Sequence, residues 1–386
     1  MRRVRYSAAC EIKGSRVTAL RDAIANNSAA VLAIGGFLIG AVFGAIVLRT
    51  NFCTMGSISD IVSFGDYRRF RAWILAATTA LIGAQLLDAW GVVPLQKSMY
   101  LAPSLNWVGN LLGGLMFGYG MVFAGGCASK NLARVGAGDL RSLLTLIVMG
   151  LVAYMAMGGI LGPARAWLEQ STSIGLSGFR LGSQGIGAML GAGLGLGASI
   201  ANLAVMTVIA LLALAYCFRD AAFRGSPVHF WSGIGIGLCV VAGWALTGLA
   251  FDELADRPTA PISLTFVRPT ADTIEWLERF TAVRMPGFGV TTVLGAIFGA
   301  FVAAMAMGRF RLATFTDIAD TRRNLYGAVL MGIGGVLAMG CTMGQAITGV
   351  STLALGSFLT FGAIVAGGVA GIKRMEAILM AELATP

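Results

Sequence analysis

Three cysteines stand where an apolar run stops at a polar break, and a thiol so placed can meet a small anion. Two of them belong to a repeat. Asn110 to Asn131 reads NLLGGLMFGYGMVFAGGCASKN, and Asn324 to Gln345 reads NLYGAVLMGIGGVLAMGCTMGQ. Laid on each other without a gap at an offset of 214, they agree at nine of 22 positions, Gly126/Gly340 and Cys127/Cys341 among them. The third cysteine, Cys53, lies in Asn51-Phe-Cys53-Thr, just after an apolar run. A short polar helix is expected to start at each break, and a helix start offers free N–H groups and the positive end of the dipole. A thiol is a weak donor and a weak acceptor. Together these features suit a small anion that carries sulfur. Most membrane-helix cysteines only pack, but alanine would serve packing equally well at the same break in two diverged copies. Cys217 and Cys239 lie inside apolar runs without a break and read as packing residues, and Cys10 sits in a basic leader.

The elements that must position these thiols are membrane helices. The chain of 386 residues is 57% hydrophobic and 12% charged, where an ordinary soluble protein carries about 25% charged residues. Its apolar runs are continuous and about 20 residues long, enough to span a bilayer and unlike the alternating strands of a β-barrel. The expected fold is an all-α polytopic membrane protein of about nine transmembrane helices plus short re-entrant helices. The spans lie near 29–48, 73–90, 107–125, 143–161, 200–218, 230–250, 287–307, the second repeat copy, and 355–372. The 34-residue apolar run 185–218 is too long for one span and splits into a Gly-rich re-entrant piece and a span. Residues 1–28 form a basic tail, 29–375 one transmembrane transporter domain, and 376–386 a C-terminal tail. Within the domain, 251–286 reads as a soluble connection or flap.

The first span carries Gly40-Ala-Val-Phe-Gly-Ala-Ile-Val47, echoed at six of eight positions by Gly295-Ala-Ile-Phe-Gly-Ala-Phe-Val302. Each half, about 29–184 and 185–375, opens on this motif, passes a polar elbow, and later breaks at Gly-Cys. The elbows are Arg49 to Gly65 and Arg309 to Arg323, with Asp317 in the second reading as a helix cap. Halves with an odd number of spans sit in opposite senses, and interruptions at matched places point to a transporter's binding site. With the leader and the 251–286 connection set aside, Lys and Arg concentrate on the side of the C-terminus, which the positive-inside rule assigns to the cytoplasm.

The formal net charge of +10 lies in loops and tails; that fits anionic lipid rather than nucleic acid as a partner. No Cys-x-x-Cys or His/Cys cluster has metal-ligand spacing. A Cys-His pair would have to use His229, the only histidine. No metal, cofactor or catalytic residue is therefore expected. Among the polar neighbours, Lys130 and Arg49 could concentrate an anion, and Asn131 and Gln345 occupy matched repeat positions.

The motifs Asn51-Phe-Cys53, Gly125-Gly-Cys127-Ala-Ser-Lys-Asn-Leu-Ala-Arg-Val-Gly136, and Gly340-Cys341-Thr-Met-Gly-Gln345 followed by Gly349-Val-Ser-Thr-Leu-Ala-Leu-Gly356 resemble the YeeE/YedE family. The resemblance covers roughly residues 30–375. That family comprises sulfur-compound transporters of bacteria and archaea, thiosulfate importers among them. The resemblance implies an inner-membrane hourglass of two pseudo-symmetric inverted halves, with short helices meeting at a central constriction. It implies that thiosulfate, or a related small sulfur anion, passes along a line of three cysteines without large rocking. Those cysteines are Cys53, Cys127 and Cys341 here, with Lys130, Asn131 and Gln345 as further substrate-binding candidates. It also implies a small cytoplasmic sulfurtransferase of the TusA type as a partner. The alternative is a membrane thiol-redox or persulfide-relay enzyme, which needs a resolving thiol beside the first. No cysteine has one within four residues of sequence.

Overall fold

The computed structural model describes residues 27–384 apart from 180, 196, 254–259 and 316. Most of the expected tail 1–28, with Cys10, lies outside the described residues. The chain begins with α1 (Ser28–Thr50), a short α2 (Thr54–Ser59) continued by a π-turn at Asp60–Phe64, α3 (Arg68–Ala89), α4 (Trp107–Phe123), a short α5 (Ala128–Gly136), α6 (Leu140–Met157) and α7 (Gly162–Thr172). Then follow α8 (Ile186–Leu194), α9 (Ala198–Phe218), α10 (Pro227–Leu249), α11 (Val267–Glu278), α12 (Phe288–Ala306), α13 (Ile318–Leu337), a π-helical segment Gly344–Gly349, and α14 (Leu355–Ala384). Among the described residues, eight helices are long and apolar enough to cross a membrane: α1, α3, α4, α6, α9, α10, α12 and α14. The ninth expected span is α13. It is 20 residues long, but Asp320, Arg322 and Arg323 in its first turns keep its composition outside that class. The protein is an all-α, multi-pass membrane protein, and the apolar run 185–218 is divided between α8 and α9.

Glycine faces set how closely these helices approach, as expected where lipid supplies no hydrophobic drive between them. The α1 and α12 helices run parallel, with Gly36, Gly40 and Gly44 against Thr291, Thr292 and Ala296. A Cβ on Gly44 would lie 2.0 Å from the Ala296 oxygen, and one on Gly299 would lie 1.8 Å from the Ala41 oxygen. Gly299→Leu is therefore expected to cost about 1–3 kcal/mol or more by overpacking. It should show as a lower melting temperature and yield of detergent-solubilised protein. A wild-type melting temperature would contradict the packing.

The two repeat copies cross antiparallel. Gly113 of α4 meets Gly334 of α13, and Gly120 meets Gly327. In repeat register Gly113 corresponds to Gly327 and Gly120 to Gly334, so each contact is the image of the other. Two further parallel pairings frame this crossing. Gly114 and Gly118 of α4 lie against Thr360 and Ile364 of α14, and Gly233 and Gly237 of α10 against Ala72 and Ala76 of α3.

The connection 251–286 departs from the soluble flap expected of it. Ser263, Leu264, Phe266, Val267 and Ala271 are all buried to 1% exposure or less. An extended strand of chain at 261–266 enters the bundle, and α11 then packs on α6 and α12. Backbone away from secondary structure at such depth must find partners inside the protein, and hydroxyls supply them. The Thr247 Oγ1 donates to the Ile262 oxygen at 2.6 Å, and Thr348 Oγ1 to the Leu264 oxygen at 2.7 Å. Among the described charged residues of this connection, Arg268 and Arg279 remain exposed at the two ends of α11.

Candidate functional site

The breaks in α4 and α13 have the same hydrogen bonds. In the first, Gly126 N–H donates to the Met121 oxygen at 2.9 Å and Gly125 N–H to Val122 at 3.2 Å. In the second, Gly340 N–H donates to Gly335 at 2.8 Å and Met339 N–H to Val336 at 3.0 Å. This is the Schellman termination, which needs a left-handed residue. Gly125 holds that position at φ +69°, and its counterpart Met339 does so at φ +54° without the freedom of glycine. Asn51 ends α1 in the same region, at φ +54°.

Each break hands the chain to a thiol. Cys53 is the N-cap of α2, and its sulfur accepts from Gly56 N–H at 3.5 Å. The Cys341 sulfur accepts from Gly344 N–H at 3.4 Å. Cys127 caps α5 in position, but its sulfur pairs with Ser129 Oγ at 3.3 Å. The three thiols lie in one neighbourhood: Cys53 and the Thr342 hydroxyl are near Cys127, and Cys341 is close enough to Cys127 for their charges to interact. All three are free and buried. Cys217, whose thiol donates to the Arg71 oxygen at 3.4 Å, and Cys239 are also free and buried.

Asn131 and Gln345 brace the two breaks in matched fashion. Asn131 Nδ2 donates to the Gly126 oxygen at 3.0 Å and its Oδ1 accepts from Ser142 at 2.9 Å. Gln345 Nε2 donates to the Ala338 oxygen at 2.5 Å and its Oε1 accepts from Ser357 at 2.7 Å. Both amides are thus spent on holding the breaks. Lys130 is buried, with its ammonium donating to Asn51 Oδ1. Arg49 is exposed.

Two cavities reach toward the thiols from opposite ends of the bundle. At the end where α1 terminates, a cavity of about 230 Å³ is lined by Asn51, Cys53, Lys130, Arg69 and Arg134. At the end where α12 begins, one of about 630 Å³ is lined by Thr265, Arg268, Asp272, Met339 and Gly340. Burial pushes the Asp272 carboxyl above its ordinary range, while Arg268 and the Tyr154 hydroxyl pull it back. Cys127, Thr342 and Cys341 line neither of these cavities and are each at 1% exposure or less.

One expectation about the second elbow needs correction, and the segment facing Cys341 is new: it is the buried stretch 261–266, whose Thr265 Oγ1 lies 3.9 Å from the Cys341 sulfur. Residues 309–313 instead dock on the turn after α5, with Arg311 N–H donating to Ala137 and Ala313 N–H to Gly138. Asp317 stands at the N-cap of α13, but its side chain makes no capping bond. Sequence reasoning also missed Thr265. Its available signal was the run of hydroxyl and apolar residues Ile262-Ser-Leu-Thr-Phe-Val267 inside an otherwise charged stretch.

Comparison with known proteins accords with this arrangement. The sequence is 30% identical over 325 residues to the thiosulfate transporter TsuA of Spirochaeta thermophila, covering 84% of this chain and 93% of that protein. It is 28% identical over 341 residues to the thiosulfate transporter TsuA of Escherichia coli, covering 81% and 86%. A shorter stretch of 103 residues is 30% identical to the probable transporter YedE of Salmonella typhimurium, covering 27% of this chain and 24% of that one. The profile described as sulphur transport matches residues 49–370, and the chain belongs to that family.

Proposed function

We propose that the protein imports thiosulfate, or a closely related sulfur anion, across the inner membrane along the line Cys341, Cys127, Cys53. The observation that carries this reading is the meeting of three thiols, each delivered by a separate helix break, in the closed neck between two cavities. The larger cavity is the outer vestibule and the smaller the inner one, following the concentration of Lys and Arg at the C-terminal side. Thiols present weak S–H donors to the terminal sulfur, while Lys130, Arg69 and Arg134 give the inner cavity a positive lining. Asn131 and Gln345 serve the substrate by fixing the breaks.

The scaffold reading extends the repeat to the whole domain, as two inverted halves tapering to an hourglass neck. Support comes from the pairings. The α1–α12 contact maps onto α10–α3, and α4–α14 onto α13–α6, when α10 is taken as the counterpart of α1 and α3 as that of α12. The expected equivalence of α1 and α12 through their shared glycine motif is thereby corrected, since the two run parallel and cannot be images of each other in inverted halves.

The test is rescue of a host unable to import inorganic sulfur, with uptake of labelled thiosulfate measured against unlabelled sulfate and sulfite. Saturable thiosulfate uptake resistant to excess sulfate is expected. No uptake above the empty vector would remove this function. A second reading, the persulfide relay, gains from one observation: Cys53 and Cys127, distant in sequence, face each other. In that reading a thiolate attacks the outer sulfur of thiosulfate, forming a cysteine persulfide and releasing sulfite. Trapping of a persulfide on Cys53 or Cys127 after exposure to thiosulfate would favour it.

A further inference from the structure

We propose that two hydroxyls, those of Tyr100 and Thr342, bind the oxygen face of the anion while the thiols meet its sulfur. This inference rests on the transport reading above and adds a second set of contacts to the same neck. Both side chains are 1% exposed, and neither hydroxyl makes a hydrogen bond of good geometry within the protein, the Thr342 oxygen having only the Cys127 sulfur near it. Buried hydroxyls are nearly always paired, and an orphan calls for an explanation.

The positions of the two supply one. Tyr100 lies in the short helical turn Met99–Leu101, between α3 and α4. Its ring packs edge-on to Trp244, with centroids 6.3 Å apart, which fixes where the hydroxyl points. That hydroxyl and Thr265 Oγ1 flank the space beside Gly344. A Cβ built there would lie 2.4 Å from Thr265 Oγ1 and 3.6 Å from the Tyr100 oxygen. Gly344 is also the residue whose N–H donates to the Cys341 sulfur. A thiol, two hydroxyls and a glycine without a side chain therefore converge at one point, next to the wall of the larger cavity. Thr342 follows Cys341 directly, and its hydroxyl approaches the sulfur of Cys127. It stands beside the Cys127 sulfur, which also has Ser129 Oγ at 3.3 Å.

Cys341 and Cys127 thus each have a hydroxyl beside them. A sulfonate-type head with three oxygens accepts strong hydrogen bonds from hydroxyls and weak ones from thiols. The terminal sulfur of thiosulfate is softer and suits an S–H neighbour. An anion with one sulfur end and one oxygen end can satisfy both sets at once. An anion presenting oxygen alone uses only the hydroxyls, and a purely sulfur anion only the thiols. The neck so described takes thiosulfate-like anions because it offers donors of both kinds, alternating along a narrow path.

The experiment uses the full-length protein in proteoliposomes, with initial rates of labelled thiosulfate uptake over a range of concentrations. Tyr100→Phe removes one oxygen and keeps the ring on Trp244. Thr342→Val keeps the shape and removes the hydroxyl, and Thr342→Ser restores it. Losing one hydrogen bond to a charged ligand should raise the half-saturating concentration roughly tenfold or more. The maximal rate and the melting temperature in detergent should stay near wild type, and Thr342→Ser should recover the wild-type value. A half-saturating concentration unchanged in both Tyr100→Phe and Thr342→Val overturns the proposal. So does a loss confined to maximal rate or to melting temperature, which marks a structural role. Should Thr342→Val fail to accumulate, Tyr100→Phe alone decides. If wild type itself takes up no thiosulfate, the transport reading falls; if wild type transports and the variants match it, only the hydroxyl assignment does.

Discussion

Alanine at Cys127 or Cys341 is expected to lower thiosulfate uptake by roughly thirtyfold or more, with little change in the amount of folded protein. The argument is one of place. Both thiols are buried, at 1% and 0% exposure, and on the proposed path an anion crossing between the cavities meets each in turn. A contact to a charged ligand contributes about 1.5–3 kcal/mol, and each 1.4 kcal/mol is tenfold in an equilibrium constant. Cys53 borders the inner cavity, where Lys130 also lies, so Cys53→Ala should cost less. The control is built into the chain: Cys217→Ala and Cys239→Ala remove equally buried thiols away from the breaks and should leave uptake near wild type. Uptake by Cys127→Ala and Cys341→Ala matching the Cys217 and Cys239 controls would end every reading that gives thiols a role.

Lys130→Met should reduce uptake at least about tenfold. A buried ammonium is costly unless paired, and here its recorded hydrogen-bond partner is a neutral amide, Asn51 Oδ1. The charge is left available to an anion passing from Cys53 into the inner cavity. Arg69 and Arg134 line the same cavity, but Arg69 is paired with Asp60 at 3.2 Å and Arg134 donates to the Gly125 oxygen at 2.7 Å. Lys130→Arg should retain part of the activity, because the charge persists in a bulkier form. The measurement is uptake at several ionic strengths. Equal rates for wild type and Lys130→Met would show that the ammonium only ties α5 to the end of α1.

The breaks and their thiols were legible because duplication wrote them twice. Gly126-Cys127 and Gly340-Cys341 stand in matched contexts, and Asn131 and Gln345, at one register position, each reach back to a carbonyl of their own break. Span order was legible from hydropathy, with α13 blurred only where Asp320, Arg322 and Arg323 interrupt it. The stretch 261–266 was not legible. Its depth depends on hydroxyls from other helices, Thr247 and Thr348, which satisfy its backbone, and no local pattern announces a partner 15 or 84 residues away. Tyr100 was hidden for a related reason. Its place beside Gly344 comes from long-range packing on Trp244, which one-dimensional periodicity does not record.

The antiparallel crossing of α4 and α13 through image contacts bears on vectorial flow. A frame in which the same bent rod enters from either face offers both sides the same backbone. What tells the sides apart is what the frame does not duplicate. On one face that is the inserted stretch 261–266 with Thr265; on the other it is the ammonium of Lys130, whose counterpart in repeat register is Gly344. The two mouths thus differ chemically through a few added groups, while the direction of net flow follows the gradient that drives it.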